Sequence, residues 1–364
     1  MISTTKKKFL FVVQGEGRGH MTQSIAMQNI LLNAGMEVCE ILIGKSPQRK
    51  IPDFYYEKIK CPITPIDSPN FTTDAKMKAV QMLPSVINNL KKYSLFKASI
   101  NCIEQKVAEH KPDVIINFYD PLMGLYYLFR KPTVPMVCIA HQYLFNHGSF
   151  KFPKGDYFDK VGLMMYTALT AIGAKKKLAL SFYPFQDEVK SNTYIIPPLL
   201  RPEVFQQQIT EGNFILAYLV NSGYMEDIVN WHYDHPSVII HCFIDKSLHK
   251  DAPVKENLYF HPINDKAFLE KMSQCKALVS TAGFESICEA MYLGKPVMMV
   301  PVEGHYEQFC NSRDAFLAKA GIYESKFNIS KLLEYLNGHE GNTNNYRQWV
   351  DQSATKTLEH LLSV

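Results

Sequence analysis

The chain has 364 residues, 46% of them hydrophobic and 20% charged, with a formal net charge of +4. That length exceeds one ordinary α/β domain and fits two of ~150–200 residues each. The composition excludes a disordered or repeat architecture, and so mild a charge gives no argument for nucleic acid.

The opening Lys6-Lys7-Lys8 precedes an apolar run, 9–13, that is too short for a signal peptide. This run reads as a buried strand. A glycine cluster follows, and residues 21–32 carry apolar positions at helical spacing (Ile25, Met27, Ile30, Leu31). Gly35 ends that helix and 38–43 reads as a second strand. Residues 74–109 show helical periodicity, with a kink expected at Pro84. Short buried strands are expected at 114–116, 134–139, 178–182 and 194–196. The stretch 162–174 is apolar but falls short of a membrane span. Pro197-Pro198 and Arg201-Pro202 then mark a connection. A second series follows: strands at 214–220, 238–243, 257–260, 277–280 and 297–300, with helices at 265–273, 284–292 and 308–319. A last helix is expected over 346–362. Strands alternating with helices imply parallel sheets covered on both faces, so the fold class is α/β with two Rossmann-like doubly wound domains. Ligands in such sheets bind beyond the carboxyl ends of the strands, which places the site in an interdomain cleft.

The eight cysteines form no CxxC pair and no Cys/His cluster at zinc spacing, so no metal site is expected and a reducing, cytoplasmic setting is the simplest reading. Chemistry concentrates in three segments. In Gln14-Gly15-Glu16-Gly17-Arg18-Gly19-His20, alternating glycines bring backbone close to a ligand at a helix N-terminus. The spacing lacks the final x-x-G of a dinucleotide fingerprint, although Glu37 or Glu40 stands where a ribose acid would be. His20 faces the cleft as a base or merely caps the helix. In Ser280–Ala290, Gly283 again links strand to helix, so the amides of Gly283, Phe284, Glu285 and Ser286 suit a diphosphate, with Glu289 one turn on for ribose hydroxyls. In Glu303–Asn311, His305, Glu307 and Gln308 suit sugar hydroxyls.

The run G-F-E-S-I-C-E-A-M-Y-L-G-K-P-V-M-M-V-P…E-Q-F-C-N resembles the donor-binding signature of GT-B glycosyltransferases, closest to the group containing the lipid II-forming N-acetylglucosaminyltransferase and related prokaryotic proteins. The resemblance covers both domains. It implies an acceptor-binding domain at 1–197, a linker at 198–212, a nucleotide-sugar-binding domain at 213–345, and a segment 346–364 returning to the first domain. It places Gly283 at the phosphate-binding helix, Glu289 on the ribose and Glu307-Gln308 on the donor sugar. Asn221-Ser222-Gly223 matches a second donor loop, and Ile263 falls near the base. Gly15, Gly17, Arg18 and Gly19 fall on the acceptor side; His141 and Gln142, which follow the strand at 134–139, suit acceptor contacts or a structural role equally. By analogy His20 takes the acceptor proton and Asp120 orients its imidazole, although Asp before Pro is also a routine turn opener. Glu285 and Glu307 depart from the lipid II enzyme's pattern and leave the sugar open.

The resemblance also implies inversion. The chain lacks a D-x-D triplet, so helix ends rather than a divalent ion carry the leaving-group charge, and no cofactor is needed. The expected partners are a UDP-linked donor and a hydroxyl acceptor, a glycan or a lipid-linked one. Two lysine-flanked stretches, 91–97 and 163–177, suit peripheral contact with a membrane's inner face as well as they suit packed helices. The rival readings are a nucleotide-sugar 2-epimerase of the same fold, a nucleotide-dependent oxidoreductase, and a non-catalytic sugar-nucleotide-binding protein.

Overall fold

The structure is a computed structural model that describes residues 6–15, 17–45, 51–69, 72–73, 80–81, 93–155, 157–219, 224–245, 255–339 and 343–364. The first sheet grows from the apolar run after the lysines. In chain order its part of the molecule comprises β1 (Lys8–Val13), α1 (Gly19–Asn33), β2 (Glu37–Lys45), α2 (Asp53–Lys58) and β3 (Ile63–Asp67). A short antiparallel pair follows, β4 (Thr72–Thr73) and β5 (Val80–Gln81). Then come α3 (Tyr93–His110), β6 (Val114–Phe118), α4 (Pro121–Arg130), β7 (Met136–Ala140), a 3-10 turn (His141–Asn146), α5 (Tyr157–Thr170), β8 (Lys176–Leu180) and β9 (Thr193–Ile196).

The second part holds a 3-10 turn (Pro202–Gln206), β10 (Phe214–Tyr218), α6 (Met225–Asp234), β11 (Ile239–Ile244), β12 (Leu258–Pro262), α7 (Asp265–Gln274) and β13 (Ala277–Ser280). It continues through α8 (Phe284–Tyr292), β14 (Val297–Met299), α9 (Tyr306–Leu317), β15 (Gly321–Tyr323), α10 (Ile329–Leu336), α11 (Thr343–Val350) and α12 (Ser353–Leu362).

The seven-stranded sheet runs β3-β2-β1-β6-β7-β8-β9 and the six-stranded sheet β12-β11-β10-β13-β14-β15. Every pairing in both is parallel. Central strands covered on both faces need apolar residues at successive positions, not alternate ones. β1 obeys: Phe9 to Val13 are all fully buried. In each sheet the chain leaves its first strand for one side and then returns to the other. The reversals fall between β1 and β6 and between β10 and β13, the places where doubly wound sheets open a ligand crevice. The loops after β1 and β6, and the loop after β13, therefore carry the candidate residues.

The two parts share apolar packing. One buried cluster contains Phe9, Ile116 and Phe182 from the first part and Ile287, Cys288 and Val297 from the second. The ring centroids of Phe182 and Phe284 are 4.7 Å apart across the junction. The chain's end lies against the first sheet: Lys7 Nζ donates to the carbonyls of Leu362 and Val364 at 3.2 and 3.0 Å, and Trp349 Nε1 donates to Ser181 O at 2.9 Å.

Two elements differ from the periodicity. Of the helix expected over 74–109 the described residues show Tyr93–His110, and residues 80–81 pair as a strand with 72–73; 74–79 and 82–92, Pro84 among them, lie outside the described residues. The single helix expected over 346–362 is two, α11 and α12, with Asp351 and Gln352 forming the turn between them. Among the described residues no helix is long and apolar enough to cross a membrane, and all eight cysteines are free thiols.

Candidate active site

The first glycine turn is shaped by backbone packing. A side chain at Gly15 would put its Cβ 1.6 Å from the carbonyl oxygen of Gly44, so the chain leaving β1 lies directly on the end of β2. Gly17 takes a left-handed φ of 84°. Arg18 caps α1 without a side-chain hydrogen bond, and its guanidinium lies 5.4 Å from the Phe54 ring centre. Gly19 begins the helix facing the second domain: a Cβ there would stand 3.4 Å from Glu285 Cγ.

His20 follows, buried, with its ring stacked on Tyr119 at 5.5 Å. Its Nδ1 lies 3.2 Å from Gln23 Oε1, one helical turn on. Burial lowers its pKa to about 4, because the imidazolium loses its hydration; the bond to Gln23 offsets only part of this. The ring is therefore neutral at pH 7.

Asp120 does not form the expected dyad. It is the N-cap of α4, where Oδ1 accepts the Leu122 amide at 2.9 Å and Oδ2 accepts the Ser68 hydroxyl at 2.8 Å. It makes no hydrogen bond or ion pair with His20. Pro121 at the first helical position completes a standard helix start, so local capping takes the carboxylate. Burial raises Asp120 to about 6. Gln23 stands at the imidazole instead.

Across the cleft, Gly283 caps α8 in an extended conformation, and a Cβ there would meet nothing nearer than Ser286 Oγ at 3.8 Å. The turn's strain sits one residue earlier, at Ala282 with φ 56°, just as Tyr119 with φ 64° opens the loop after β6. Non-glycine residues at such angles cost about 1–3 kcal/mol and gather at functional sites. Glu285, in the first turn of α8, accepts Gln23 Nε2 at 2.7 Å through Oε1. Part of its stem is exposed, but Oε2 is sealed from solvent without a partner. Burial raises its pKa to about 8, so it carries a proton at pH 7. Ser286 Oγ bonds within its own turn, to Gly283 O at 3.1 Å.

Glu289 is not free for a ribose as the chain stands. Both its oxygens hold Arg201, at 2.6 Å from Nε and 3.0 Å from Nη2, and Arg201 Nη1 also pairs with Asp265. Burial alone would pull the Arg201 pKa down; the two carboxylates more than reverse this and keep it charged. A diol binding Glu289 has to displace a bidentate guanidinium.

The third segment meets the first domain through one face of α9. Glu307, Asn311 and Asp314 recur at helical spacing. Gln142 Nε2 donates to Glu307 Oε1 at 3.0 Å, and Tyr183 Oη donates to Asp314 Oδ1 at 2.7 Å. His141 stacks on Phe284 at 4.1 Å and donates from Nδ1 to Leu180 O at 2.7 Å. Its Nε2 and Asp314 Oδ2, 3.8 Å apart, are both buried without a hydrogen bond, as are Gln142 Oε1 and Asn311 Oδ1. Burial lowers His141 to about 4 and raises Asp314 to about 7. Gln308 Oε1 accepts the Val302 amide at 2.8 Å, holding the β14–α9 loop, and His305 caps α9. Ile263 follows the edge strand β12, away from the reversal point. Asn221, Ser222 and Gly223 lie outside the described residues.

The structure thus brings His20, Glu285, His141, Gln142, Phe284 and Glu307 to one junction, ties up both oxygens of Asp120 with Leu122 and Ser68, and leaves Ile263 at the edge strand. Gln23, Arg201 and Asp314 are additions. Gln23 had a signal, a polar residue three positions from a candidate base on a helix. Asp314 had one too, as the third member of a polar face begun by Glu307 and Asn311.

With that geometry, comparison places the protein. The profile of glycosyl transferase family 1 matches residues 7–337, and the chain belongs to this family. It is a glycosyltransferase of the GT-B fold. Three solved structures share the fold end to end. MurG of Acinetobacter baumannii has TM-score 0.60 and 13% identity, covering 98% of this chain and 100% of its own. UGT89C1 of Arabidopsis thaliana, complexed with UDP-L-rhamnose, has TM-score 0.65 and 14% identity, covering 99% of each chain. The calicheamicin glycosyltransferase CalG4 has TM-score 0.60 and 12% identity, covering 99% of this chain and 98% of its own. No curated protein matches the sequence. The family assignment does not favour the 2-epimerase reading.

Proposed function

We propose that this glycosyltransferase moves a sugar from a UDP-linked donor to an acceptor hydroxyl, with inversion at the anomeric carbon and no metal ion. The observation that carries the reading is the meeting of two helix starts across the cleft: a neutral histidine on α1 is joined through Gln23 to Glu285, in the first turn of the helix that Gly283 opens. The donor's diphosphate lies against the amides of Gly283 to Ser286, where the positive helix end offsets charge developing on the leaving group. The sugar reaches Glu307 and Gln308, and the β12 end at Ile263 flanks the base. The acceptor approaches from Gly15–His20 and from Gln142.

In the reaction His20 Nε2 takes the acceptor hydroxyl's proton as that oxygen bonds to the anomeric carbon. The bond to the diphosphate oxygen breaks with its electron pair, and UDP leaves. An imidazole that is neutral at pH 7 is ready for this, and bound diphosphate favours the imidazolium once formed. Binding at Glu289 exchanges Arg201 for the ribose diol. The UDP and UDP-L-rhamnose named for UGT89C1 support a uridine nucleotide. On α5, Tyr157, Phe158 and Met165 are strongly exposed, which supports a lipid-linked acceptor met at the cytoplasmic face of a membrane.

The test is a melting series against UDP, GDP, dTDP, ADP and NAD, followed by turnover of the matching sugar nucleotide. A ligand at a hundredfold excess over its Kd stabilises the fold by about 2.7 kcal/mol. A rise with UDP and its loss in Ser286→Pro is the expected result. A rise with NAD alone, or none at all, removes the reading.

A further inference from the structure

The expected partner of His20 is missing from it, and the side chain in that place is tied to the other domain. Asp120 is held at both oxygens by Leu122 and Ser68. Gln23 is almost fully buried and lies between His20 Nδ1 at 3.2 Å and Glu285 Oε1 at 2.7 Å. Its amide has one acceptor and one donor group, and each faces a different domain. We infer that Gln23 is the positioning residue for His20, and that Glu285, reaching across the cleft from α8, fixes the orientation of Gln23, so the base is set for its task only while the two domains are together. This inference rests on the reading of His20 as the base.

An amide oxygen is only an acceptor, so the oxygen of Gln23 requires a proton on His20 Nδ1. That makes Nε2 the basic nitrogen. What decides which end of Gln23 faces His20 is the other end's partner. Glu285 Oε1 accepts from the Gln23 NH2 group; with the carboxyl proton on Oε2, Oε1 can only accept, and this holds the amide oxygen of Gln23 toward the imidazole. Gln23 passes no proton: the acceptor's proton stops at His20 Nε2, and the Nδ1–H bond to Gln23 strengthens as the ring becomes positive. A reversed amide would place NH2 against Nδ1 and put the ring proton on Nε2, where it blocks proton abstraction. The tautomer of His20 is therefore the decisive observable. Tyr119, stacked on the ring, fixes its plane but offers no hydrogen bond to choose between the nitrogens.

The arrangement differs from a carboxylate partner in charge. With Glu285 holding its proton, the chain from imidazole through Gln23 to carboxyl is neutral throughout. Ligand charge then becomes the chief influence on the imidazolium.

The experiment is nitrogen-15 NMR of the ring nitrogens in the full-length protein, with His20→Gln as the assignment control. The wild type is expected to show the Nδ1–H tautomer. Gln23→Leu and Glu285→Ala are each expected to shift His20 towards the Nε2–H form or a mixture, and Glu285→Gln, which keeps an acceptor oxygen, to restore Nδ1–H. An Nε2–H tautomer in the wild type, or an unmoved His20 signal in Gln23→Leu, overturns the inference. Turnover adds the second reading: in Gln23→Leu, kcat is expected to fall about 10²-fold with KM nearly unchanged, as for a misplaced base. Should the wild type turn over no sugar nucleotide while the tautomers behave as stated, the proposed function fails and the positioning of His20 stands. Should turnover be present and the tautomers not respond, the reverse holds.

Discussion

The two domains offer each other the same local geometry, a strand ending in a glycine turn that opens a helix, but the glycines do different work. Gly15 is demanded by the fold, since any side chain would strike the Gly44 carbonyl. Gly283 has an ordinary extended backbone and open space before it. The first turn is built tight against its own sheet, and the second leaves room for something to approach. The buried ionisable groups differ as well. The first domain brings His20 and His141, both lowered to about 4; the second brings Glu285 and Asp314, raised to about 8 and about 7. Around pH 7 burial leaves both histidines and Glu285 without charge, with Asp314 at its midpoint. At the connection Arg201 is instead held in ion pairs with Glu289 and Asp265.

The charged group is where the largest effect is expected. Arg201→Met leaves Glu289 buried without its bidentate partner, and losing one member of a buried pair costs about 3–5 kcal/mol. Urea denaturation of the variant measures this; an unchanged midpoint means that the triad is exposed in solution. Next comes the contrast of glycines. Gly15→Ala is expected to destabilise by about 3 kcal/mol, because the two strand ends must separate to admit a methyl group. Gly283→Ala is expected to stay within about 0.5 kcal/mol of the parent, since its backbone suits alanine. The same Gly283→Ala is expected to weaken UDP binding roughly tenfold, about 1.4 kcal/mol, measured by calorimetry. Equal destabilisation by the two alanines erases the contrast.

These differences explain what was readable beforehand. The continuous apolar runs of β1, β6 and β13 announced buried parallel strands, and the glycines after β1 and β13 marked the cleft, because strand burial and turn geometry are local demands. The Asp120-Pro121 pair was ambiguous for a physical reason: a carboxylate at a strand end suits a helix cap and a catalytic partner equally, and only the Leu122 and Ser68 bonds decide. Gln23 was hidden inside a helix whose polar residues look like any solvated face until Glu285 arrives from 262 positions away. Arg201 lay in a proline-rich connection that reads as linker, and its partner Glu289 matched a ribose ligand by position alone. Contacts between domains have no period in sequence.

The smallest effect tests the neutral groups. An acid whose folded pKa is raised keeps its proton while the unfolded chain loses it, so stability is full below the unfolded pKa and falls as pH rises through the folded value. A histidine with a lowered pKa does the opposite and loses stability as pH falls from 6.5 through about 4. Below pH 6.5 the two histidines and the acids therefore oppose each other. Between pH 6.5 and 8 the unfolded chain's histidines give up their last protons, a small opposing gain, while Glu285 and Asp314 still bind protons that the unfolded chain has lost. Stability is expected to decline across this window, with Asp314 contributing about 1 kcal/mol of the decline. Asp314→Asn removes that share, so its urea midpoint should vary less between pH 6.5 and 8 than the parent's. An identical slope in both proteins means that Asp314 is ionised throughout, and that the α9 face meets Tyr183 and His141 as a charged surface.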